Sequence, residues 1–501
     1  MTWIEALDAG LELVLVWHNF LFLALGVVVG VAFAAVPGLS GILAVTLLLP
    51  FTFYMSPVAA IALLMGAYKG TMFGGSISAI TFGVPGDAPA AATKLDGFEL
   101  TKQRKPYRAL TTALYSSISA NLVADLVTIL TFLPLAAVAL AFGPREIFAL
   151  LFAAMAVLVI FTQSGVLKGI IGAMVGFFLA TIGLDPIAAY PRVTFGIVEL
   201  EAGIGLIPCI VGLFAFTELM LHFSRGFVEA QKSATAESEG LELIRHRSPD
   251  DRLSFKEWLG FWRENLIGYA SGVILGILPG PGATMSAFTS YAFGSRLAKN
   301  KGKYGTGVAE GVASAESGNS ATVGPTLIPL FAFGIPGSGT AGLFMAAFML
   351  QGITPGPGLY RDYPDVMFAV FVIMLIGTVF NLGISKGLIP IFARLGLVNP
   401  RILVPALIPM VIVGVYAVSY RWADVVLVVL IGLLGIALRR FRIPVASTVV
   451  AFMIGSLFEM HLRRGLIIAG NWTYWFRSPI AVGLYVAAIG GATLLLRQRN
   501  R

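Results

Sequence analysis

Apolar positions in this chain fall in long unbroken runs. They show neither the alternation of a half-buried strand nor the three-to-four spacing of a surface helix. The runs cover roughly 11–36, 42–64, 109–142, 147–160, 166–183, 203–221, 259–278, 366–393, 401–419, 422–438, 443–458 and 480–496. A helix needs about 20 apolar residues to cross a bilayer, and backbone in lipid must satisfy its own hydrogen bonds. The pattern therefore predicts about ten to twelve spanning helices and no barrel. Composition agrees: 57% of the residues are hydrophobic and 12% charged, against about 25% charged in a soluble domain. The expected fold class is an all-α polytopic membrane protein.

Charge refines this picture. Met1 to Trp17 carries Glu5, Asp8 and Glu12 and no Lys or Arg, the wrong sign for a secretory signal, so the first helix is expected in the mature protein. The net charge of +8 comes from basic residues in short loops beside helices, where they set orientation in the bilayer; nucleic acid is not an expected partner. Cys209, the one cysteine, lies in an apolar run and reads as packing. Between His222 and Lys256 six basic residues (Arg225, Lys232, Arg245, Arg247, Arg252, Lys256) alternate with six acidic ones (Glu229, Glu237, Glu239, Glu242, Asp250, Asp251). This predicts a solvated linker at 222–257 between a first transmembrane repeat, 1–221, and a second with C-terminal helices, 258–501.

The two halves carry similar punctuation. The first runs Gly26, Gly30, Pro37-Gly38-Leu39-Ser40-Gly41, Gly70 to Ser76, then Gly83-Val84-Pro85-Gly86. The second runs Gly272, Gly276, Pro279-Gly280-Pro281-Gly282, Gly311 to Ser317, then Gly334-Ile335-Pro336-Gly337. The offsets are 242 (Pro37 to Pro279), 241 (Gly70 to Gly311) and 251 (Pro85 to Pro336), so an insertion of about ten residues near 320–333 aligns the copies. Loop charges differ between the copies. Phe51 to Pro57 has no charge where Gly294 to Tyr304 has Arg296, Lys299, Lys301 and Lys303; Gly97 to Arg108 has Lys102, Arg104, Lys105 and Arg108 where Gly352 to Asp365 has Arg361 against Asp362 and Asp365. The positive-inside rule puts Gly97 to Arg108 and Gly294 to Tyr304 in the cytoplasm, with Arg439-Arg440-Phe441-Arg442 and the tail from Arg497, and predicts two inverted repeats. His461 to Arg464 and Arg477 resist, putting basic charge on the outer side.

Pro-Gly pairs at membrane depth predict broken or re-entrant helices that meet near the midplane, because irregular backbone survives there only when buried or lining a cavity, and half-helix N-termini attract anions. Small residues for close helix packing are the plainer reading of any single glycine. The candidate substrate-binding set is Pro37, Gly38, Ser40, Ser76, Pro85, Gly86, Pro279, Gly280, Gly282, Ser317, Asn319, Ser320, Pro336, Gly337 and Ser338. An acid at the bilayer centre costs roughly 3 kcal/mol even on the lenient scale, which marks Glu316 and Asp87, with Thr93 and Asp96, as candidates for cation coupling, with a possible Na⁺ near Glu316 and Asp87. Asp96 reads equally well as a cap near the interface. Lys69 and Lys94 are read as snorkelling to the headgroups.

No Gly-x-x-x-x-Gly-Lys-Ser/Thr occurs, so an ion gradient, Na⁺ or H⁺, is the expected energy source, and no cofactor is expected. Gly38-Leu39-Ser40-Gly41 spells a serine-protease Gly-x-Ser-Gly, yet His18, His222, His246 and His461 sit at run edges or in the linker, so an intramembrane serine protease is the remoter alternative. A passive channel or facilitator for organic anions is the nearer one.

These motifs resemble the TctA family, the large permease subunits of tripartite tricarboxylate transporters. The resemblance rests on Pro37-Gly38-Leu39-Ser40; Gly83 to Asp87 and on through Thr93-Lys94-Leu95-Asp96-Gly97-Phe98; Gly276 to Thr284; Glu310-Gly311-Val312-Ala313 with Glu316-Ser317-Gly318-Asn319; Gly334 to Ser338; and Gln351 to Pro357. It implies a multi-pass subunit of a bacterial cell inner membrane, not an enzyme, partnered by a small membrane subunit (TctB-like) and a periplasmic solute-binding protein (TctC-like). It also implies cation-coupled import of tricarboxylates or related organic carboxylates. The residues leave the oligomeric state open, a homodimer being one candidate. One departure is Ser320, where the family shows a second Asn after Asn319.

Overall fold

Helices Trp17–Ala35 and Pro57–Phe82 lie backbone to backbone because glycines face each other along the seam. A Cβ on Gly26 or Gly30 would fall 2.1 Å from a carbonyl oxygen of the second helix, and one on Gly66 or Gly70 would fall 2.2 or 2.6 Å from a carbonyl of the first. The computed structural model describes residues 3–37, 39–162, 164–225, 248, 250–280, 282–298, 302–395 and 400–499. The helices are α1 (Trp3–Val14), α2 (Trp17–Ala35), α3 (Gly41–Leu48), α4 (Pro57–Phe82), α5 (Ala90–Lys102), α6 (Pro106–Leu140), α7 (Pro144–Ile160), α8 (Val166–Ala180), α9 (Thr217–Arg225) and α10 (Trp262–Ile277). There follow α11 (Gly282–Leu297), α12 (Ala309–Ser320), α13 (Ile328–Phe333), α14 (Gly339–Leu350), α15 (Pro364–Leu395), α16 (Pro400–Ser419), α17 (Trp422–Arg440), α18 (Val445–Ala469) and α19 (Pro479–Arg499). The one sheet among the described residues is a hairpin pairing Gly183–Leu184 with Pro191–Arg192.

The protein is an all-α polytopic membrane protein. Among the described residues seven helices are long and apolar enough to cross a bilayer: Trp17–Ala35, Pro57–Phe82, Pro106–Leu140, Leu206–Ser224, Pro364–Ile391, Trp422–Arg440 and Val445–Ala469. Five shorter apolar helices accompany them. Punctuation cuts some of the apolar runs into separate helices. The run at 11–36 breaks between α1 and α2, and that at 42–64 turns into a 3₁₀ stretch at Leu49–Tyr54, with Pro50 at its start. Ser56 caps α4 with Pro57 in the first turn, and Gly83, at φ +67°, ends it in the left-handed conformation.

Both halves show the same order: a long helix, a Pro-Gly break, a second helix, a third, another break and a last helix. Gly334 ends α13 at φ +71° as Gly83 ends α4, 251 residues earlier, the same offset as between Pro85 and Pro336. Within each half the second break packs against the end of the helix that precedes the first. A Cβ on Gly86 would lie 1.9 Å from Ala34 O; its counterpart Gly337 faces Gly276 O, and Gly280 N–H donates to Gly337 O at 3.3 Å. The halves differ where the insertion was expected: α4 is continuous, whereas α12 ends at Ser320 and the chain resumes as α13 at Ile328. At one end of the molecule Gln103 Nε2 donates to Thr306 O at 2.6 Å, joining the basic loop after α5 to the segment before α12. Elsewhere Gln351 Nε2, after α14, donates to Thr52 O at 2.6 Å.

Two expectations change. Lys69 does not snorkel: it is wholly buried, as described below, whereas Lys94 is exposed. The described end of the expected linker is docked: Ser248 N–H donates to Arg104 O at 2.9 Å, Asp251 accepts from Arg108 N–H at 2.8 Å, and Glu257 pairs with the Arg108 guanidinium. Residues 226–247 and 249 of that linker, with Gly38, Pro281, Lys299 and Lys301, lie outside the described residues. The resisting basic cluster is partly neutralised: Arg463 pairs with Asp185 at 2.5 Å and Glu459 at 3.1 Å, and Arg192 pairs with Glu459 at 2.7 Å.

Candidate functional site

Glu316 stands on α12 with no solvent exposure, at the seam between the halves. Its Oε1 accepts hydrogen bonds from the hydroxyls of Ser76 on α4 and Thr93 on α5, while Oε2 has no hydrogen-bond partner among the described residues. Asp87 follows the first-half break, its Oδ1 accepting from Ala90 N–H at 3.2 Å at the start of α5. Gly75 makes room for it: a Cβ there would lie 2.5 Å from Asp87 Oδ1, and Gly75 O accepts the Gly86 N–H at 3.1 Å. Ser76, Asp87, Thr93 and Glu316 thus gather at one place, contributed by both halves.

The other predicted residues are placed around this centre. Asp96, one turn along α5 from Thr93, is fully buried and accepts four hydrogen bonds: from Tyr291 Oη at 2.8 Å, from Gly305 and Gly307 N–H at 2.9 Å and from Val308 N–H at 3.0 Å. With its oxygens so occupied, it fastens α5 to the chain entering α12. Asn319 donates from Nδ2 to Met72 O at 3.1 Å, and its Oδ1 is without a partner among the described residues. Ser320 meets Ser117 at 2.7 Å, and Ser317 donates to Ala313 O at 2.7 Å, facing Gly268 on α10. Ser338 caps α14 through Ala341 N–H at 3.1 Å.

The break N-termini differ in what they hold. At α3, the anion position is taken by Glu218 on α9, which accepts from Ser40 N–H at 3.1 Å and Ser40 Oγ at 2.8 Å. The Ser40 hydroxyl is therefore engaged by a carboxylate and not by a histidine base. At α11, Gly280 (φ +108°) and Gly282 (φ +57°) form the turn, and a cavity of about 570 Å³ opens there, lined by Gly280, Thr284, Phe288, Thr162, Ser164 and Pro444. A second cavity, about 840 Å³, runs between α7, α8, α18 and the 352–358 loop and reaches Phe333 and Gly334 beside the second-half break. No cluster of three or more His, Cys, Asp or Glu is present among the described residues.

Residues 20–450 match the Tripartite tricarboxylate transporter TctA family. The chain belongs to that family. It is 32% identical over 497 residues (99% of this chain, 97% of the relative) to an uncharacterized 52.8 kDa protein in the TAR-I ttuC' 3' region of Agrobacterium vitis. A second protein of that organism, uncharacterized and in the TAR-II ttuC' 3' region, is 36% identical over 214 residues (42% of this chain, 88% of the relative). No solved structure matches the chain. TctA proteins are the large membrane subunits of tripartite tricarboxylate transporters, so a transporter, multi-pass in its membrane, is the coarse function.

Sequence reasoning missed a fully buried ion pair in this TctA chain. Lys69 Nζ lies 2.7 Å from Asp125 Oδ2 on α6 and 2.9 Å from Thr378 Oγ1 on α15, with both charged side chains at 0% exposure. Thr378 also donates to Asp125 Oδ2 at 2.8 Å, and Asn381 donates to Lys69 O at 3.0 Å. The signal was present, since Asp125 interrupts the apolar run 109–142 as Glu316 interrupts its own surroundings. Glu218, at the end of the 203–221 run, was likewise legible as an acid at membrane depth.

Proposed function

We propose that this chain is the translocating subunit of a cation-coupled importer of tricarboxylates or related organic carboxylates, working by alternating access. Its partners in this reading are a small TctB-like membrane subunit and a TctC-like periplasmic binding protein that delivers substrate, in a bacterial inner membrane. The observation that carries it is Glu316: a wholly buried carboxylate held by two hydroxyls, with one oxygen unpartnered among the described residues. A charge in such a place is expensive without a proton or a cation, so a site for Na⁺ or H⁺ is what the residues need. Asp87 adds a second acid nearby, and hydroxyls supply neutral oxygen ligands for Na⁺.

The substrate carboxylate belongs, in this reading, at the α11 N-terminus, among Gly280, Gly282, Thr284 and the adjoining Gly337 and Ser338. The helix dipole and the first-turn N–H groups of a helix N-terminus favour an anion. The α3 N-terminus supports the assignment by example, because it holds the carboxylate of Glu218. An inverted relation of the halves is part of the proposal. It is supported by the reciprocal contacts Gln103 to Thr306 and Gln351 to Thr52, each joining a closing loop of one half to an opening segment of the other.

The test is uptake of labelled citrate and a panel of di- and aromatic carboxylates into proteoliposomes holding this chain and its small partner, with and without the binding protein, under imposed Na⁺ or proton gradients. Gradient-driven accumulation that requires the binding protein is expected, and Glu316→Gln and Asp87→Asn should abolish it while the variants stay folded. Saturable flux without accumulation under any gradient would replace the carrier with a facilitator.

A further inference from the structure

Three hydrogen-bonded contacts close a triangle between α4, α6 and α12. Asn319 on α12 reaches Met72 O on α4, Lys69 on α4 reaches Asp125 on α6, and Ser117 on α6 meets Ser320 on α12. Asn121 lies one turn from Ser117 and one turn from Asp125 on the same stripe of α6, so the triangle encloses it. It is fully buried, and neither its Oδ1 nor its Nδ2 has a hydrogen-bond partner among the described residues. The same holds for Asp125 Oδ1 and Asn319 Oδ1. Glu316 stands one turn back along α12 from Ser320, and its Oε2 is likewise without a partner among the described residues.

Unsatisfied amide and carboxylate oxygens are costly to bury, about 1–3 kcal/mol for each neutral group, and several within one triangle of contacts mark a place where a polar ligand would be stabilised. The ligand class follows from the donors. All but one of the atoms are oxygens, which suit a hard cation. Asn121 Nδ2, the lone donor, suits a water carried with it. Charge bears on the choice as well. Lys69 already balances Asp125, so the atoms inside the triangle carry no net charge of their own, and a singly charged ion needs less compensation there than a divalent one.

We propose that Asn121 Oδ1, Asn319 Oδ1 and Asp125 Oδ1 form an inner seat for a hydrated monovalent cation, Na⁺ or hydronium, deeper than Glu316 on the path of the coupling ion. The seat rests on the cation-coupled reading above and adds residues that no part of that reading uses. Asn121 is its centre, and Lys69 fixes its charge by occupying Asp125 Oδ2.

The test uses the chain with its small partner and compares wild type, Asn121→Leu, Asn121→Asp and, as a control, Asn265→Leu, a buried amide on α10 whose Oδ1 is also without a partner among the described residues. Na⁺ binding is read from thermal stabilisation by NaCl against choline chloride at constant ionic strength, and proton coupling from protons imported per carboxylate. If the ion is Na⁺, Asn121→Leu should weaken Na⁺ binding by about 10-fold or more, and Asn121→Asp should tighten it. If it is hydronium, Na⁺ has no effect on wild type, and Asn121→Leu lowers the protons imported per carboxylate. In both cases Asn121→Leu unfolds no lower than wild type, because it removes an unsatisfied amide, and Asn265→Leu leaves coupling intact. Wild-type ion binding and stoichiometry in both Asn121 variants would overturn the seat while leaving carrier function standing. A wild type indifferent to every gradient would overturn both.

Discussion

Lys69 and Asp125 form an ion pair 2.7 Å long in which neither side chain reaches solvent. It ties α4 to α6, and Thr378 brings in α15 by donating to the same carboxylate oxygen at 2.8 Å. A buried pair is weak evidence of net stabilisation, but removing one member leaves an uncompensated charge in the apolar interior. Lys69→Met or Asp125→Leu alone is expected to cost about 3–5 kcal/mol, and the double substitution to recover most of it. Thermal unfolding of the purified variants checks this; a double variant no more stable than the singles would mean that the pair also sets helix packing.

Gly86 is the position where the first-half break tolerates least. Its N–H is bonded to Gly75 O at 3.1 Å, and a Cβ would sit 1.9 Å from Ala34 O, a backbone atom that cannot swing aside. Gly86→Ala must push the Pro85–Asp87 turn off α2 and carry Asp87 away from Gly75. Gradient-driven uptake should fall at least about tenfold, as expected when a site is misplaced by about 1 Å. The second-half counterpart is roomier, with Thr326 O 3.0 Å from a Cβ on Gly337, so Gly337→Ala should be the milder change in the same uptake assay.

The breaks and the central acid were readable because each violates a local rule. Pro-Gly inside an apolar run and Glu316 at membrane depth are both locally unfavourable, and such violations collect at functional positions. The partnerships were not readable. Ser76 and Thr93 lie 240 and 223 residues of chain from Glu316, and nothing in the pattern says which face of α12 turns toward α4. Asp96 looked like an interfacial cap or a coupling acid, and only the fold brings Gly305, Gly307 and Val308 onto it. Lys69 was misread for a related reason: a lone lysine in an apolar helix snorkels unless another helix supplies an acid, and Asp125 lies 56 residues away. Nor were the exact helix bounds readable at α1 and α3, where short irregular stretches divide apolar runs without changing their hydropathy.

Asp185, in the loop after α8, gives the hairpin at 183–192 a pH dependence. Its carboxylate accepts from Ala188 N–H at 2.7 Å, from Ile187 N–H at 2.9 Å and from Arg463 at 2.5 Å, and these partners pull its pKa down from 3.8 to about 2. A depressed folded-state pKa means that the contribution is complete above about pH 4 and is lost as pH falls toward 2. Hydrogen exchange of the 183–192 hairpin should therefore be flat from neutral pH to about 4, apart from intrinsic chemistry, and accelerate below it. Asp185→Asn should remove that acid step, and a step of equal size in the variant would assign it to another group.

Glu218 and Thr284 separate the two break N-termini by experiment. Glu218 fills the anion position of α3 and is 4% exposed, with Arg439 Nη2 3.6 Å from its Oε2. Its neutralisation in Glu218→Gln should cost stability, of the order of 1 kcal/mol from lost charge–dipole attraction, read as a lower unfolding temperature. Thr284 stands instead at the first turn of α11 beside the cavity of about 570 Å³. Thr284→Val keeps the shape and removes the hydroxyl, so it should leave the unfolding temperature nearly unchanged and raise the KM for the imported carboxylate several-fold, with little change in maximal rate if the contact serves binding rather than movement. The opposite split, with KM changed by Glu218→Gln and not by Thr284→Val, would move the substrate carboxylate from the second break to the first, where it would have to displace Glu218.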